Sequence, residues 1–215
     1  MTMALIYISV LCFLTLVSSV EVEFEDRPRI IPAGTTFASR NYTSILTVPN
    51  GGKFGIWMWS EMCPKNFYAV GFSLRVEAKQ YGGDDTALNG IRLFCIENDD
   101  RRFLYSVESH TGHFGEWMEP QWCPRGTLSS FQLRVEPHLG FFGDDTSVNN
   151  IRFRCSTNPT LEGRGMTWGE YGEWSDECRT GGICGIQTKM EVYQGVLDDT
   201  SLNDVRFYCC TQSQQ

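Results

Sequence analysis

The sequence predicts an all-β protein in which three copies of one unit close into a single symmetric body. The first observation is an opening phrase, G-x-[FY]-G-x-W, which occurs three times and ends at Trp57, Trp117 and Trp174. The second is that the same features follow each phrase: a cysteine, an alternating segment, an Asp-Asp-Thr turn and a second alternating segment that ends in cysteine. Copies that stay in step over most of a chain indicate a repeat architecture.

Two segments of each unit alternate apolar and polar residues, which is the pattern of a half-buried β-strand. The first set of segments is Phe72–Glu77, Phe131–Glu136 and Ile186–Glu191. The second set is Ile91–Cys95, Ile151–Cys155 and Val205–Cys209. Side chains alternate between the faces of a strand, so every second residue is predicted to face one core. Closure of three such units would also leave few exposed sheet edges.

A turn with paired carboxylates stands between the two strands of each unit. Its aspartates are Asp84 and Asp85, Asp144 and Asp145, and Asp198 and Asp199. Aspartate and threonine side chains hydrogen-bond nearby backbone and hold turns of this kind. Calcium ligation, or a glycosidase-type acid and base, is the functional alternative for paired carboxylates. Because the feature occurs in all three units, we interpret it as scaffold.

The tryptophans of the opening phrase have a structural and a functional interpretation. Large aromatic rings at symmetric positions can fill a central space, so Trp57, Trp117 and Trp174 are predicted to be equivalent core anchors. Three sugar-stacking tryptophans are the alternative. We favour core packing, which directs the search for function to the aromatic residues that break the threefold pattern.

The cysteines follow the repeat, and the simplest pairing closes each unit on itself. In the first two units the predicted disulfides are Cys63–Cys95 and Cys123–Cys155. The third unit has four cysteines. Counting from its Asp-Asp-Thr turn pairs Cys178 with Cys209 and leaves Cys184 for Cys210, whereas the spacing seen in the other units pairs Cys178 with Cys210. A disulfide that closes such a loop contributes roughly 3 to 4 kcal/mol in the chain-entropy description.

The N-terminal residues 1–19 carry no charged side chain and are largely apolar, as in a secretory signal peptide. An uncleaved membrane anchor is the alternative, which the short apolar run and the missing basic flank disfavour. Cleavage would remove Cys12 and leave eight cysteines, the even number expected of a secreted disulfide-bonded protein. Residues 20–215 are then predicted to form one extracellular domain, with repeats at about 30–98, 99–158 and 159–210, and with no later membrane span.

The net charge and a few short motifs exclude some classes of binding partner and predict one modification site. The net charge of -8 argues against nucleic acid, heparin-like polymers or anionic membrane as the principal partner. Asn41, in Asn-Tyr-Thr, is the predicted N-glycosylation site, since the proline after Asn158 excludes the other sequon. No C-x-x-C or H-x-x-x-H spacing supports zinc, and we expect no cofactor.

The chain resembles the vitelline membrane outer layer protein 1 family over roughly Arg29 to Cys210. The resemblance rests on the combination of the opening phrases, the L-R-V-E-like strands, the D-D-T turns and the I-R-F-x-C-like closings. The resemblance implies a β-prism I fold with three four-stranded Greek-key sheets about a pseudo-threefold axis, a fold shared with jacalin-like plant lectins. It also implies a secreted component of an extracellular coat. A transferase activity that builds chito-oligosaccharides has been attributed to this family, but the resemblance transfers no catalytic residues.

Three functions remain, and each makes a different demand on the structure. The first is a disulfide-stabilised barrier component of a coat or secretion, with mucin-like glycoproteins as partners. The second is a glycan-binding module, for example for N-acetylglucosamine chains, with stacking residues among the unrepeated aromatics. These are Trp59, Trp122, Trp168, Phe141 and Phe142.

The third function is transglycosylation on N-acetylglucosamine oligomers, which we regard as less favoured than a non-enzymatic role. It needs two carboxylates about 5 to 9.5 Å apart, one of them with a raised pKa. The available carboxylates include Asp84, Asp85, Asp176 and Glu177, and nothing in the sequence selects a pair among them. The ligand and the oligomeric state are not fixed by the sequence. We expect any site to be a cleft that gathers features the three units do not share.

Overall fold

The computed structural model describes residues 29–32, for the backbone, and residues 40–78, 87–97, 99–136, 148–191 and 201–211. The predicted signal peptide, the six turn aspartates, Phe141 and Phe142 lie outside these residues. Every regular element in the described ranges is a β-strand, and no helix there is long and apolar enough to cross a bilayer. The strands are β1 (Arg29–Pro32), β2 (Ser44–Leu46), β3 (Ile56–Met62), β4 (Phe67–Val76), β5 (Leu88–Glu97), β6 (Asp100–Glu108), β7 (Glu116–Trp117), β8 (Gln121–Trp122), β9 (Leu128–Val135), β10 (Val148–Cys155), β11 (Thr160–Glu162), β12 (Glu170–Tyr171), β13 (Gly182–Met190) and β14 (Leu202–Cys210).

These strands form three antiparallel sheets, as the predicted β-prism requires. The second sheet has the order β11-β10-β9-β12 and the third has the order β2-β14-β13-β3. The first has the order β6-β5-β4, with β7 and β8 together completing the fourth strand beside β4. It also carries β1, which pairs with β6 in parallel. In each sheet three antiparallel neighbours are joined by a fourth strand beside the first, which is Greek-key order.

Each sheet draws its strands from two of the sequence repeats. The first sheet takes β4 and β5 from the first repeat and β6, β7 and β8 from the second. The second sheet combines β9 and β10 with β11 and β12 of the third repeat, and the third sheet combines β13 and β14 with β2 and β3 of the first. Strand exchange therefore closes the molecule into a ring in which β3 pairs with β13.

Four phenylalanines form the centre at which the sheets meet. Phe72, Phe131, Phe153 and Phe207 are each 0% exposed. The centroid of the Phe153 ring lies 4.7 Å from that of Phe72 and 5.1 Å from that of Phe207, and Phe131 lies 4.8 Å from Phe207. Complete burial of one such side chain stabilises the fold by roughly 1.5 to 3 kcal/mol. These rings come from the alternating strands predicted to face the core.

The tryptophans of the opening phrase lie on the outer face of the prism, which corrects the prediction that they fill its core. Trp57 is 36% exposed, and Trp117 and Trp174 are half-buried. The Trp57 ring lies 4.6 Å from the guanidinium of Arg206, and the Trp117 ring lies 3.9 Å from that of Arg92. An indole face attracts a guanidinium electrostatically. The tryptophan rings therefore cover arginines on the outer faces, while phenylalanines fill the centre.

Tyr171, and not Trp174, takes the place of these tryptophans in the second sheet. Tyr171 pairs with Arg134 in β9 in the same way that Trp117 pairs with Arg75 in β4. The third copy of the phrase is therefore displaced by three residues in the structure from the alignment that its letters suggest. Trp174 lies beyond the short strand β12 and has a different neighbour.

Glycines in the left-handed region set this register. Gly55, Gly115 and Gly169 have φ angles of 78°, 79° and 70°, which side chains with a Cβ rarely adopt. A Cβ on Gly169 would lie 2.2 Å from a backbone oxygen. Trp168 precedes Gly169 as a phenylalanine precedes each of the other two glycines. Trp168 is therefore the third member of a repeated position and not an unrepeated aromatic.

Four disulfides tie the strands together near one end of the prism. They are Cys63–Cys95, Cys123–Cys155, Cys178–Cys209 and Cys184–Cys210. Cys209 and Cys210 are neighbours on β14, so their side chains leave the strand on opposite sides and reach different partners. Cys63 directly follows β3 of the third sheet and Cys95 lies on β5 of the first, so this disulfide links two sheets.

Asp204 is a half-buried carboxylate at a position where the second sheet has an amide. Its Oδ1 accepts a hydrogen bond from the N–H of the next residue at 2.8 Å, and Asn150 Oδ1 does the same in β10, also at 2.8 Å. Burial raises the pKa of Asp204 to about 6, although that hydrogen bond and the charges of Lys189 and Arg206 partly oppose the shift. The folded protein therefore holds a proton on Asp204 over a pH range in which an unfolded chain has lost it.

We expect Asp204→Asn to stabilise the protein near neutral pH. The raised pKa means that the stability associated with protonated Asp204 is complete below the unfolded pKa of about 4 and is lost as pH rises through about 6. The variant keeps the neutral state, so its free energy of unfolding should exceed wild type by about 1 to 2 kcal/mol at pH 7.5 and match it below about pH 4. Denaturant unfolding at both pH values measures this, and an equal gain at both would contradict it.

Candidate functional site

The prism has three outer corners, each formed where the fourth strand of one sheet meets the outer strand of the next. At the first corner β3 of the third sheet lies beside β6 of the first. At the second, β8 lies beside β11. At the third, the segment after β12 lies near the segment after β2, where Asn50 Nδ2 donates to the Leu133 carbonyl at 2.9 Å. Equivalent corners allow a direct comparison of what each one carries.

The corner between β3 and β6 contains a cleft with a volume of about 530 Å³. We call it the β3–β6 cleft. It is lined by Trp59, Glu61, Arg75, Arg92, Ser106, Glu108, Ser109, His110, Thr111, Gly112 and His113. One exposed indole and several acidic, basic and hydroxyl groups therefore converge on one concave surface, where the polar groups could orient a ligand.

Trp59 forms the apolar wall of the β3–β6 cleft. Its side chain is 55% exposed, and its edge contact with His110 places the two ring centroids 5.3 Å apart at an interplanar angle of 75°. Ser109 Oγ donates to the Trp59 carbonyl at 2.6 Å, and Thr188 Oγ1 donates to the His110 carbonyl at 2.9 Å. The first bond joins the segment after β6 to β3, and the second joins the same segment to β13, so the backbone that carries the indole and the imidazole is held together.

Two carboxylates stand near Trp59. Glu61 lies two residues further along β3, on the same face of the strand, and Glu108 lies at the end of β6. Burial, and then the charge of Glu108, raise the pKa of Glu61. Among the residues that the structure describes, Glu61 has no hydrogen-bond or ion-pair partner for its carboxylate. Glu61 can therefore accept a hydrogen bond from a ligand.

The cationic side chains of the cleft are already engaged by the protein. Arg92 Nε donates to Glu108 Oε2 at 2.8 Å, and the Arg92 guanidinium stacks on Trp117. Arg75 donates to the carbonyls of Gly115, Gly112 and His113 at 3.0, 2.8 and 2.9 Å. These contacts build the cleft wall.

The other corners have the same backbone arrangement but different side chains. The register places Glu119 and Gln121 in the second corner where the first has Trp59 and Glu61, since Gln121 pairs with Phe72 of β4. In the third corner, Ser175 takes the position of Glu61, because its N–H donates to the Phe131 carbonyl. On the opposite strand, Glu162 of β11 corresponds to Glu108 and Arg164 to His110. The combination of indole, imidazole and carboxylate distinguishes the β3–β6 cleft from its equivalents.

The predicted glycan contacts are distributed over the whole molecule. Trp59 lines the β3–β6 cleft. Trp122 packs on Phe94, with ring centroids 4.9 Å apart, and covers a small apolar cluster of the first sheet. Trp168 is half-buried at the repeated position described above, and Phe141 and Phe142 lie outside the described residues. The structure thus brings Trp59 into a cleft and gives Trp122 a packing role.

Of the other predicted sites, Asn41 lies in an exposed segment just before β2. Its neighbour Tyr42 is 50% exposed and contacts the Tyr208 ring at 4.9 Å. Asp176 is exposed, and Glu177 accepts a hydrogen bond from Ser129 Oγ at 2.8 Å. The turn aspartates, proposed as scaffold, fall outside the described residues.

Sequence reasoning missed Glu61, Glu108 and Arg92 as parts of a site. Glu61 and Glu108 belong to different sequence repeats, and they meet only because β3 joins the third sheet while β6 joins the first. A signal did exist, since Trp59 and Glu61 differ from the corresponding residues of the second repeat, Glu119 and Gln121. The sequence does not show that β6 lies beside β3, and it is β6 that brings Glu108 to the cleft.

Solved structures share this fold at low sequence identity. A mannose-binding lectin from Champedak superposes with a TM-score of 0.50 and 14% identity, over 79% of this chain and 98% of that one. Frutapin, a lectin from Artocarpus incisa, also gives a TM-score of 0.50 with 14% identity, over 80% of this chain and 99% of that one. At this identity the likeness shows the fold alone.

Sequence relatives are much more similar. The vitelline membrane outer layer protein 1 homolog of Mus musculus is 54% identical over 79% of this chain and 84% of its own length. The homolog of Homo sapiens is 50% identical over 81% of this chain and 87% of its own. The model of the family described as vitelline membrane outer layer protein I (VOMI) matches residues 44–212. The chain therefore belongs to the vitelline membrane outer layer protein I family.

Proposed function

We propose that the protein is a secreted, disulfide-stabilised component of an extracellular coat or secretion, retained there by contact with glycans of coat or mucin-like glycoproteins. The observation that carries the coat role is the set of four disulfides in a closed three-sheet prism. Disulfides of this density persist in oxidising, extracellular environments. Membership of the vitelline membrane outer layer family supports the same role.

A coat component has to keep its fold where proteases and dilution act on it. A closed arrangement of sheets leaves few strand ends free for local opening, and the disulfides restrict the unfolded chain. Both effects lower the population of open states on which proteases act.

We expect the oxidised protein to resist trypsin and to co-sediment with mucin gel or isolated egg coat. Replacing Cys63 and Cys95 together by serine should lower the free energy of unfolding by about 3 kcal/mol, because a loop of that length is released in the unfolded chain. Denaturant unfolding and digestion rates measure the change. A wild-type protein found wholly in the soluble fraction, with no affinity for either matrix, would rule out the coat role.

Glycan binding by the β3–β6 cleft is the second part of the proposal, and the exposed Trp59 is the observation that favours it. A sugar ring presents an apolar C–H face that stacks on an indole, while its hydroxyls need acceptors and donors at the rim. Glu61 supplies a carboxylate acceptor that no described residue engages, and the His110 ring contacts the indole edge-on. The lectins that share the fold give this role an analogy, since one of them is described as mannose-binding.

We expect Trp59→Ala to weaken binding of a neutral oligosaccharide by about tenfold, because stacking residues dominate such sites. Isothermal titration with mannotriose and with an N-acetylglucosamine trimer measures it. Phe103→Ala is the matched control, since Phe103 is 51% exposed and does not line the cleft. Equal affinities in Trp59→Ala and wild type would exclude the cleft as the sugar site.

The same titration separates binding from transglycosylation. A binding module leaves the oligomer length unchanged after long incubation, as mass spectrometry can establish. Glu61 and Glu108 are the carboxylates that an enzyme would use here, since a raised pKa on one of two neighbouring carboxyls is what an acid and base pair requires. New oligomer lengths that disappear in Glu61→Gln would replace the binding assignment with an enzymatic one.

Binding should also weaken on acidification. The raised pKa of Glu61 means that its carboxylate is lost at a higher pH than an ordinary glutamate would be, and with it the charge-assisted acceptor. We expect wild-type affinity to fall between about pH 7.5 and about pH 4.5, and the affinity of Glu61→Gln to vary less over that interval. An identical pH profile for the two proteins would show that Glu61 does not contact the sugar.

A further inference from the structure

Arg154 presents an unusual guanidinium on the outer face of the second sheet. It lies on β10 and is half-buried, with its guanidinium carbon 4.6 Å from the centroid of the Trp174 ring. Within the described ranges, its guanidinium has no hydrogen-bond or ion-pair partner. A planar group with five N–H donors is thus held against an indole while its donors stay available.

Other aromatic-stacked arginines of the described structure donate hydrogen bonds to the protein. Those with such acceptors are Arg40, Arg92, Arg134, Arg152 and Arg206. Their acceptors are main-chain carbonyls, glutamates or a glutamine amide oxygen. In these cases the aromatic ring and the hydrogen-bond acceptor together fix the guanidinium as part of the scaffold. The Arg154 guanidinium stacks on an aromatic ring but has no such acceptor among the described residues.

The fold does not require an arginine at this position. Arg154 immediately precedes Cys155, and the residues that precede the equivalent cysteines are Phe94 and Tyr208. Phe94 is 3% exposed and packs on Trp122, while Tyr208 is 5% exposed. Two units therefore use an aromatic residue as packing where the second sheet has a cation under a tryptophan.

Other arginines lie near Arg154 on the outer face of the second sheet. Arg152 lies on the same face of β10, and Arg134 lies on the adjacent β9, close enough to stack on Tyr171 at 5.5 Å. Glu162 is engaged by Arg152 at 2.8 Å. Ser129 Oγ donates to Glu177 Oε1 at 2.8 Å, and among the described residues Glu177 forms no ion pair with Arg154. The segment around Trp174 also carries exposed carboxylates at Glu173 and Asp176, so the groups that favour an anion are the arginines of β9 and β10.

We propose that Arg154 and Trp174 form a second binding site, separate from the β3–β6 cleft, for the carboxylate or sulfate of an acidic glycan. The guanidinium fork matches two oxygens of either group, and such paired hydrogen bonds are among the strongest in proteins. Trp174 holds the plane of the fork and offers an apolar edge to the adjoining sugar ring. Sialylated and sulfated chains are the two sources of this chemistry.

Titration of the full secreted chain with 3′-sialyllactose, 6-sulfo-N-acetyllactosamine and neutral lactose tests the proposal. We expect at least one acidic sugar to bind more tightly than lactose, and Arg154→Gln to weaken that sugar by about tenfold or more, since charge-assisted hydrogen bonds are lost. Comparison of the two acidic probes shows which anion is preferred. Arg154→Lys should lie between, because it keeps the charge without the fork.

Arg125→Gln is the control for net charge, since Arg125 is exposed and its side chain forms no described contact. It should change the affinity by less than about twofold at physiological salt, where distant charges are screened. Equal weakening by the Arg125 and Arg154 variants, or no preference of wild type for either acidic sugar, would overturn the proposal. Trp59→Ala should leave acidic-sugar binding intact, so failure of this site and failure of the β3–β6 cleft give different results. Thermal unfolding checks that the variants remain folded.

Discussion

A four-stranded sheet in this protein is complete only when another repeat supplies its outer strands. The long pairs β4 with β5, β9 with β10 and β13 with β14 each come from one repeat, and every such pair is bordered by strands from a neighbouring repeat. Backbone hydrogen bonding therefore enforces the ring, because a unit on its own would leave its sheet edges unpaired. The buried phenylalanines then stabilise an arrangement that the strand pairing has already defined.

Symmetry in such a ring separates scaffold from function. Positions that recur, such as the left-handed glycines Gly55, Gly115 and Gly169, carry the turn geometry and must be kept alike. The corners and parts of the outer faces differ from one sheet to the next. One corner carries Trp59 with Glu61, and one outer face carries Arg154 with Trp174. The two departures lie on different sheets and offer different chemistry, an exposed indole beside a carboxylate in one and a guanidinium stacked on an indole in the other.

Much of the fold was predictable because strand periodicity and cysteine spacing are local properties of the sequence. Phe72, Phe131, Phe153 and Phe207 lie in the segments whose alternation predicted them to face the core. The role of the tryptophans was not predictable in the same way. The sequence shows a tryptophan in the same way whether its ring covers an arginine or fills a core. Only the residues on the neighbouring strand distinguish the two roles.

The displaced third phrase illustrates the same limit. The letters G-E-Y-G-E-W align with the other two copies, yet Gly169 has the left-handed conformation of the second glycine in those copies, and Tyr171 takes the place of their tryptophan. The backbone conformation of Gly169 therefore gives a different alignment of the third copy from the one that its residue types suggest. The cleft was hidden for a related reason, since its two walls come from repeats that the sequence presents as separate.

The pairing of β3 with β13 has a consequence for how the molecule is made. Strand β3, in the first repeat, can pair only after β13, in the last repeat, has been made. Contacts between residues so far apart in sequence form slowly in folding. During synthesis the first repeat is left with an open sheet edge until the last repeat emerges. The β3–β6 cleft is therefore completed only when β13 closes the ring, so its shape depends on the whole of the folded chain.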